Sequence, residues 1–403
     1  GTDLSWIPAI GSRFHIGIDG ISLPLLVLST LITLLCIVYS WNHWPEPHNP
    51  KGFLVLMLVL ATGMNGTFVA LDLVLFFIFF ELVLLPMYFM IGIWGDRTKI
   101  RLPGFKREVE TRLYASIKFF LFTLFGSVFM LLGILALYFQ SNPHTFDMLE
   151  LMKASSTFGR EFQILVFLGF WLGLAVKIPA FPFHTWLPLA HVEAPTAVSV
   201  ILAGVLLKMG VYGLLRISYS ILPQGYEWFL PILVVIAFIN IVYGALCAMA
   251  QSDMKKMVAY SSVNHMGYCL LGMAAVSDAG FNGAVLQMIN HGIITAGLFF
   301  LVGVIYDRAH TRDISAFGGL GAKLPVYAGL MAMTCFASLG LPGLAGFISE
   351  FLCFLGAFPA WKMWTILSVA GILVTAAFFL RMLQKVFLGP FNEKWKDLPD
   401  MDA

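Results

Sequence analysis

Residues 73–94 read LVLFFIFFELVLLPMYFMIGIW, a stretch in which Glu81 is the single charged side chain. About 20 consecutive apolar residues cross the hydrocarbon core of a bilayer as a helix, so the stretch predicts a membrane span. A charged group near the bilayer centre costs roughly 2.5 to 3.5 kcal/mol on insertion scales, and such groups usually line an ion or proton path. Glu81 is therefore the first candidate functional residue.

The composition extends the membrane prediction to the whole chain. Of the 403 residues, 59% are hydrophobic and 11% are charged, whereas soluble domains carry about 25% charged residues. We expect an all-α polytopic membrane protein whose surroundings are the lipid bilayer. The net charge of +2, with positive residues clustered in loops, excludes a nucleic-acid partner.

No metal or nucleotide site is visible in the sequence. The five cysteines lie in apolar segments without the short spacings of zinc or iron–sulfur ligands, and we interpret them as small hydrophobic residues. The glycine-rich motifs of dinucleotide and phosphate-binding loops are also absent from the sequence. We therefore expect no cofactor or metal in this chain, and any electron transfer is expected to take place elsewhere.

Apolar stretches of spanning length recur and predict eleven spans. The tenth is too long for one straight helix and contains Gly340-Leu341-Pro342-Gly343, where proline removes a backbone donor, so a broken helix is predicted near 340–346. A second break is predicted near the proline-rich stretch 177–190. The predicted spans are 21–41, 53–71, 73–94, 116–139, 162–184, 196–217, 229–250, 257–276, 281–306, 324–357 and 362–386.

The spans define three predicted regions of the chain. Residues 1–20 form a polar extramembrane segment, 21–386 form the transmembrane domain, and 387–403 form a truncated loop on the cytoplasmic side. Because the chain begins at Gly1 and stops in a polar stretch, we expect a fragment of a longer protein.

Loop charges predict the orientation, because Lys and Arg concentrate on the cytoplasmic side. The 95–115 loop holds six of these residues. Placing it inside also places Lys255 and Lys256 inside, and leaves the loops 218–228 and 277–280, which lack Lys and Arg, outside. The loop 140–161 is the exception, since it is predicted outside but holds Lys153 and Arg160.

A weaker signal indicates an internal repeat. Three pairs of positive or titratable residues have the same sequence separation, with an odd number of spans between their members, as in inverted-topology transporters. Sequences around the paired positions barely resemble each other, so chance agreement is the alternative. The pairs are Lys118 and His291, Lys177 and Glu350, and Lys208 and Arg381.

Six titratable residues within the spans are candidate proton carriers: Glu81, Lys177, Lys208, His265, His291 and Glu350. Lys177 precedes the proline-rich break, where freed carbonyls require water or a cavity, and Glu350 follows the other break. The alternative for each acid is a structural ion pair, for example between Glu350 and Arg381. The alternative for Lys177 is a side chain that snorkels to the interface.

Two polar stripes at helical spacing predict a hydrogen-bonded wire in which the histidines titrate near physiological pH. For either histidine alone, a packing role is the alternative. Lys208 lies in mid-span between glycines that permit close helix contact. The stripes are Ser261, His265 and Tyr268 on one span, and Gln287, His291 and Thr295 on another.

Several long motifs resemble the antiporter-like subunits of respiratory complex I, in particular the NADH-quinone oxidoreductase subunit M or chain 4 family. The resemblance covers nearly the whole chain. Its motifs are FEL at 80–82, LPMYF at 85–89, IGIWG at 91–95, AVK at 175–177, HTWLPLAHVEAP at 184–195, LLKMG at 206–210, AYSSVNHMG at 259–267 and GFISE at 346–350.

The resemblance implies a 14-helix fold built from two inverted five-helix repeats, each with a broken helix. The eleven predicted spans would then be the third to the thirteenth helices, with two helices before residue 1 and one after residue 403. It also implies that Glu81 pairs with Lys177, that Lys208, His265 and His291 form the central relay, and that Glu350 is the exit-side acid.

By the same resemblance, the chain moves protons while quinone is reduced elsewhere in the complex. NADH, FMN, iron–sulfur clusters and quinone are expected in other subunits, and neighbouring membrane subunits, including other antiporter-like ones, are the expected partners. The expected location is a bacterial inner membrane, with an organellar inner membrane or a thylakoid as alternatives.

Three other functions use the same features. A Mrp-type cation/proton antiporter subunit and a membrane-bound hydrogenase subunit are built from the same module. The strings Leu85-Pro86-Met87-Tyr88 and Ile93-Trp94-Gly95 favour complex I over both. A scaffold subunit that moves no protons is an alternative of a different class, and it predicts that neutralising the buried charges changes assembly and not pumping.

Overall fold

Helices account for most of the described residues in this computed structural model, which describes 1–101 and 108–401. The chain divides into two units, Gly1–Leu233 and Val234–Ala403. Lys106 and Arg107, two of the positive residues in the predicted cytoplasmic loop, lie outside the described residues.

The first unit starts with an antiparallel hairpin, β1 (Thr2–Ile7) and β2 (Ser12–Ile16), within the segment predicted to lie outside the membrane. Two further short strands, β3 (Lys99–Arg101) and β4 (Glu108–Glu110), also pair with each other. The helices of this unit are α1 (Ser22–Ser40), α2 (Pro50–Val69), α3 (Leu73–Leu82), α4 (Leu84–Trp94), α5 (Thr111–Gln140), α6 (Met148–Ala154), α7 (Arg160–Lys177), α8 (Trp186–Glu193), α9 (Thr196–Ile201) and α10 (Leu207–Gly213).

Local chemistry explains where α3 begins and ends. The Asp72 carboxylate accepts the backbone N–H groups of Val74 and Leu75, which are otherwise unpaired at a helix start. Pro86 has no N–H to bond the carbonyl of Leu82, and α3 ends at Leu82. The chain then continues directly into α4, so Glu81 lies one residue before a discontinuity within the span.

The first predicted break lies between α7 and α8. Helix α7 ends at Lys177, and the chain is not helical again until Trp186. Pro179 has no N–H to donate to the carbonyl of Ala175, which accepts from the Ala180 N–H instead, so the α-helical pattern does not continue. The Trp186 indole donates to the carbonyl of Val176 at 2.9 Å and satisfies one of the carbonyls freed at this helix end.

An 18-residue stretch of the span Thr196–Tyr219 is fully buried, and the span is not a regular α-helix. Its α-helical parts, α9 and α10, are joined by a π turn at Leu202–Leu206, and a second π turn follows at Leu214–Tyr219. Such turns are rare and often occur at functional sites. Lys208 lies in α10, two residues after the first of them.

The boundary between the units falls within α11 (Pro223–Met249). A 3₁₀ turn at Ile314–Ala316 precedes the second helix break, which lies between α15 and α16. The helices of the second unit after α11 are α12 (Met254–Ala275), α13 (Asp278–Ala309), α14 (Leu320–Lys323), α15 (Pro325–Leu339), α16 (Ala345–Ala357) and α17 (Lys362–Phe387).

Helix α15 ends at two glycines whose backbone conformation is left-handed. Gly340 caps the helix in the left-handed region with φ of 82°, and Gly343 follows with φ of 96°. Glycine adopts such angles without steric cost because it has no Cβ. The chain turns here and re-enters a helix at Ala345, five residues before Glu350.

Eight helices within the described residues are long and apolar enough to span a membrane. They correspond to eight of the eleven predicted spans. The predicted span 162–184 falls on α7, which carries Arg160, Glu161 and Lys177 and is not among the eight. Span 257–276 falls on α12, which is also outside the eight, and the tenth predicted span is divided between the shorter helices α15 and α16. The count of eleven therefore remains a prediction.

Candidate functional site

Glu81 lies near the end of α3 and is partly buried. Its carboxylate accepts a hydrogen bond from the Ser127 hydroxyl on α5. The same hydroxyl also lies 2.8 Å from the carbonyl of Thr123. Because a serine hydroxyl carries one proton, it can donate to only one of these acceptors at a time. Ser127 can therefore exchange the carboxylate for a backbone partner.

Lys177 is buried at the last residue of α7, with an exposed fraction of 2%. Within the described residues, its ammonium has no hydrogen-bond partner. The ammonium lies 4.8 Å from the centre of the Phe80 ring, which is within cation–π range. Glu81 and Lys177 act on each other electrostatically but make no direct ion pair among the described residues. The structure thus brings the two residues near each other with Phe80 beside the ammonium.

Lys208 is fully buried in α10. Its ammonium donates to the carbonyl of Ala203, a residue in the adjoining π turn. Helix α10 approaches the end of α7 closely, since a Cβ on Gly210 would lie 2.8 Å from the Leu174 carbonyl and 3.0 Å from the Ile178 nitrogen. A side chain at 210 would push α10 away from the helix end that carries Lys177.

In the second unit, His265 connects two buried polar groups. Its Nδ1 lies 3.0 Å from Glu350 Oε1, and its Nε2 lies 3.0 Å from Ser338 Oγ. These side chains come from α12, α16 and the last turn of α15. The helix break therefore places Glu350 next to one ring nitrogen of His265 and Ser338 next to the other. We name His265, Glu350 and Ser338 the histidine cluster.

Gln287 on α13 extends the histidine cluster. Its side chain hydrogen-bonds Glu350 and accepts from the Ser349 hydroxyl at 2.6 Å. Asn290 in turn donates to Ser349 Oγ at 3.2 Å and to the carbonyl of Ala345 at 2.7 Å. The polar network therefore reaches the first residue of α16.

His291 lies beside this network. The ring centres of His265 and His291 are 5.6 Å apart. A cavity of about 10 Å³ lies between the polar side chains. This volume is close to the space that one water molecule requires. It is lined by His265, Gln287, His291, Ile294, Ser338, Gly346 and Glu350.

The geometry bears on one alternative and one expectation from the sequence. Glu350 contacts His265, whereas the Arg381 guanidinium donates to the carbonyl of Met249 at 2.9 Å, so the structural ion pair between Glu350 and Arg381 is not formed. Ser261 and Thr295 donate to carbonyls of their own helices, because a hydroxyl in a helix can bond the preceding turn. The hydrogen-bonded wire along both stripes stays a prediction.

Sequence reasoning missed the hydroxyl partners Ser127, Ser338 and Ser349, and the ring of Phe80. Serine and phenylalanine are ordinary residues in a span, and no spacing rule singles them out. The helix break after Gly340 was a usable signal for Ser338, which lies two residues before it.

Within the ranges 1–101 and 108–401, no group of three or more His, Cys, Asp or Glu side chains has the arrangement of a metal site.

A family model described as "NADH:quinone oxidoreductase/Mrp antiporter, TM" matches residues 70–378, which is more than half of the chain. The chain belongs to this family. Its amino-terminal part also matches the model for the "NADH-ubiquinone oxidoreductase chain 4, amino terminus" at residues 8–67. The match at residues 70–378 includes all six candidate proton carriers.

Curated relatives support this membership. NADH-quinone oxidoreductase subunit M of Rickettsia bellii (strain RML369-C) is 42% identical over 390 residues, covering 97% of this chain and 76% of the relative. NAD(P)H-quinone oxidoreductase chain 4 of Gloeobacter violaceus (strain ATCC 29082 / PCC 7421) is 42% identical over 394 residues, covering 96% and 72%.

A solved structure shows the same fold. A chain of respiratory complex I from Thermus thermophilus with bound NADH superimposes with a TM-score of 0.88 at 31% sequence identity. The alignment covers 100% of this chain and 81% of that one. The chain is therefore a multi-pass integral membrane protein of the antiporter-like fold.

Proposed function

We propose that this chain is a proton-translocating membrane subunit of an NADH-quinone oxidoreductase. The observation that carries the proposal is a buried titratable residue beside a helix break in each unit: Lys177 at the end of α7 and Glu350 near the start of α16. Buried ionisable residues in membrane spans are costly and mark proton or ion pathways. The identity to proteins named NADH-quinone oxidoreductase subunit M supports the choice of complex.

In the first unit, we assign proton uptake and release to Lys177 and Lys208, with Glu81 as the controlling charge. An ionised Glu81 near Lys177 stabilises the ammonium, and loss of that attraction favours release of the proton. The Ser127 hydroxyl takes part in this control, because it stabilises the carboxylate when it donates to it and not when it donates to Thr123. Lys208 receives or retains a proton while held by the Ala203 carbonyl.

In the second unit, the histidine cluster has two complementary hydrogen-bond arrangements. When Glu350 is ionised, His265 Nδ1–H donates to it and Nε2 accepts from the Ser338 hydroxyl. When Glu350 is protonated, its O–H donates to Nδ1 and Nε2–H donates to Ser338. The second arrangement holds one proton more than the first. A proton that arrives at the Ser338 hydroxyl and is passed on to Nε2, while Nδ1–H moves to the Glu350 carboxylate, converts the first arrangement into the second with both contacts kept. His291 is proposed to act beside this pair.

The finer architecture is part of the proposal. It comprises eleven spans in this chain, two inverted repeats each with one broken helix, and the regions 1–20, 21–386 and 387–403. The breaks at α7–α8 and α15–α16 support the pair of broken helices. Neighbouring antiporter-like membrane subunits are the proposed partners. NADH, FMN, iron–sulfur clusters and quinone are proposed to act in other subunits, whose redox reaction drives the proton transfer here.

Substitution of the acid and the lysine in the first unit tests the function. In the assembled complex, Glu81→Ala or Lys177→Ala should abolish proton pumping and leave NADH oxidation with an artificial acceptor intact. Lys153→Ala is a matched control, since Lys153 is an exposed lysine that bonds only Glu150 at 3.0 Å. A normal proton-to-electron ratio in either buried variant would refute the relay.

The same variants separate the alternative functions. Native gels that show lost assembly while the remaining complex pumps normally would indicate a scaffold. Antiport that depends on sodium and does not require quinone would indicate a Mrp-type subunit, a class that the description of the matched family also includes.

A further inference from the structure

A cavity of about 90 Å³ lies at one end of the second unit, away from the histidine cluster. It is formed where α11 and α17 end, with α12 and the 3₁₀ turn Ile314–Ala316 closing its sides. One water molecule needs roughly 10 to 15 Å³ on this measure, so the cavity has room for several waters or for one larger polar group. Its polar lining consists of Gln251, Ser252, Ser315, Arg381 and Lys385.

Two positive side chains dominate this lining. Arg381 and Lys385 are one helical turn apart on α17 and therefore lie on the same face. The Arg381 guanidinium uses one nitrogen to donate to the Met249 carbonyl at 2.9 Å. A guanidinium has five N–H donors, so most of them remain for a ligand. Neither cation forms an ion pair with a carboxylate among the described residues.

The nearby acids are bonded to other groups. Asp253 accepts the Lys256 backbone N–H at 3.0 Å and pairs with Arg312 at 3.1 Å. The Ser315 hydroxyl and backbone N–H bond Asp313 and hold the pKa of that carboxyl below its usual value, so it stays ionised in these contacts. Neither acid lines the cavity. The charge of the cavity lining is therefore positive and is not neutralised by these acids.

The cavity lies at the boundary between apolar and polar surface. Helix α17 exposes Leu373 and Leu380 on one face, with exposed fractions of 70% and 49%. At about 100° per residue, Arg381 lies roughly a quarter turn around the helix from this face. The helix ends at Phe387, where the sequence becomes polar. In a membrane protein this places the two cations at the depth of the lipid headgroups, with an acyl-contacting surface beside them.

We propose that this cavity binds the phosphate group of an anionic phospholipid, with Arg381 and Lys385 contacting the phosphate and the lipid chain lying along Leu373 and Leu380. Arg forms bidentate hydrogen bonds with phosphate, and basic pockets between membrane helices are suited to anionic headgroups. An anionic lipid is favoured over a zwitterionic one because the latter carries its own ammonium group. The site is independent of the proposed proton relay.

Photo-crosslinking in the assembled complex tests the site. The complex is placed in nanodiscs that contain a photoreactive phosphatidylglycerol or the matching phosphatidylcholine, and adducts are mapped by peptide mass spectrometry. We expect phosphatidylglycerol to label 249–257 and 378–388 in preference to phosphatidylcholine. Lys385→Gln should lower this preference about fivefold, and Arg381→Gln with Lys385→Gln should lower it further.

The controls keep the result interpretable. Lys362→Gln removes a lysine from the opposite end of α17 and should leave the preference unchanged. Lys385→Gln alone retains the Arg381 contact with Met249, so its effect does not depend on disturbing the end of α11. Equal labelling by both lipids, or an unchanged preference in both cavity variants, would overturn the proposal. Displacement of the label by millimolar inorganic phosphate would overturn the lipid assignment and indicate a free phosphate ligand.

Discussion

Lys177 in the first unit and Glu350 in the second each lie beside a helix break, but their contacts differ. The Lys177 ammonium lies over the Phe80 ring and has no hydrogen-bond partner among the described residues. Glu350 is bonded to His265, which is bonded to Ser338. The acid of the first unit, Glu81, has a serine as its partner and is only partly buried.

Under the proposed function, the difference predicts two ways of controlling a buried proton. In the first unit the charges act on each other without direct contact, so their interaction changes only gradually with the distance between them. In the second unit the donors and acceptors are already in place, and the proton can move by rearranging bonds within a fixed geometry. The first unit should therefore tolerate small changes of side-chain length better than the second.

Shortening each acid by one methylene gives the largest expected contrast. Glu350→Asp withdraws the carboxylate by roughly 1.5 Å from a 3.0 Å contact with His265. A lost hydrogen bond to a charged group costs about 1.5 to 3 kcal/mol, so pumping should fall about tenfold or more. Glu81→Asp should cost about twofold, because water can replace Ser127 at a partly buried group. Proton uptake by both variants measures the contrast, and equal losses would remove it.

Alanine substitutions at the two glycines of the second break distinguish the effect of backbone strain from the effect of contact with Glu350. Alanine at 340 or 343 should destabilise the protein by about 1 to 2 kcal/mol, because both residues have positive φ. Only at 340 would the new Cβ meet Glu350, at 2.8 Å from Oε2, whereas nothing lies within 4 Å at 343.

Thermal unfolding of the assembled complex and proton uptake distinguish these effects. Gly340→Ala and Gly343→Ala should lose similar stability, and Gly340→Ala should lose several times more pumping per assembled complex. If Gly343→Ala impairs pumping as much as Gly340→Ala does, then contact between the new Cβ and the Glu350 carboxylate is not the cause of the loss.

A smaller effect is expected at Ser338, which is a positioning residue for His265. Ser338→Ala removes a neutral hydrogen bond of about 1 kcal/mol and should lower pumping about fivefold. Ser338→Thr keeps the hydroxyl and should restore most of the rate. The pH profile of pumping should shift in the alanine variant and return toward that of the parent in the threonine variant. Failure of threonine to rescue a stably assembled complex would argue against the proposed exchange across the ring.

The smallest effect is expected at Ser127. Ser127→Ala removes the donor to Glu81, but the carboxylate can recover a hydrogen bond from water. We expect a loss of about twofold or less in pumping. Thr123→Val is a matched control, since its hydroxyl bonds the Phe119 and Phe120 carbonyls of its own helix and not Glu81. A loss in Ser127→Ala as large as that in Glu350→Asp would show that the first unit also depends on a fixed contact.

The sequence predicts the parts of this molecule that depend on local chemistry. Hydropathy indicates spans such as 73–94, and a titratable side chain in an apolar stretch is visible wherever it occurs. Proline and glycine indicate both breaks. Helix α12 is long enough for a span, with 22 residues, but it is less apolar than the eight spanning helices. Nearly all of its residues are buried, so it can carry polar groups on every side.

The partners of the candidate residues depend on packing that the sequence does not show. Ser338 is 73 residues from His265, and Ser127 is 46 residues from Glu81. Neither serine differs in local context from the many that bond their own helix, as Ser261 does. The hydrogen-bond partners of a titratable group can therefore be assigned only when the helices are assembled.

The π turns of the span Thr196–Tyr219 have a consequence for the angular position of Lys208. A π turn is equivalent to one extra residue in an α-helix, and each residue of an α-helix advances the side-chain direction by about 100°. The residues after Leu206 are therefore out of phase with those before Leu202. Deletion of one residue from 202–206 would restore a regular helix and rotate Lys208 by about 100°, so the direction of this ammonium is set by one additional residue in the chain.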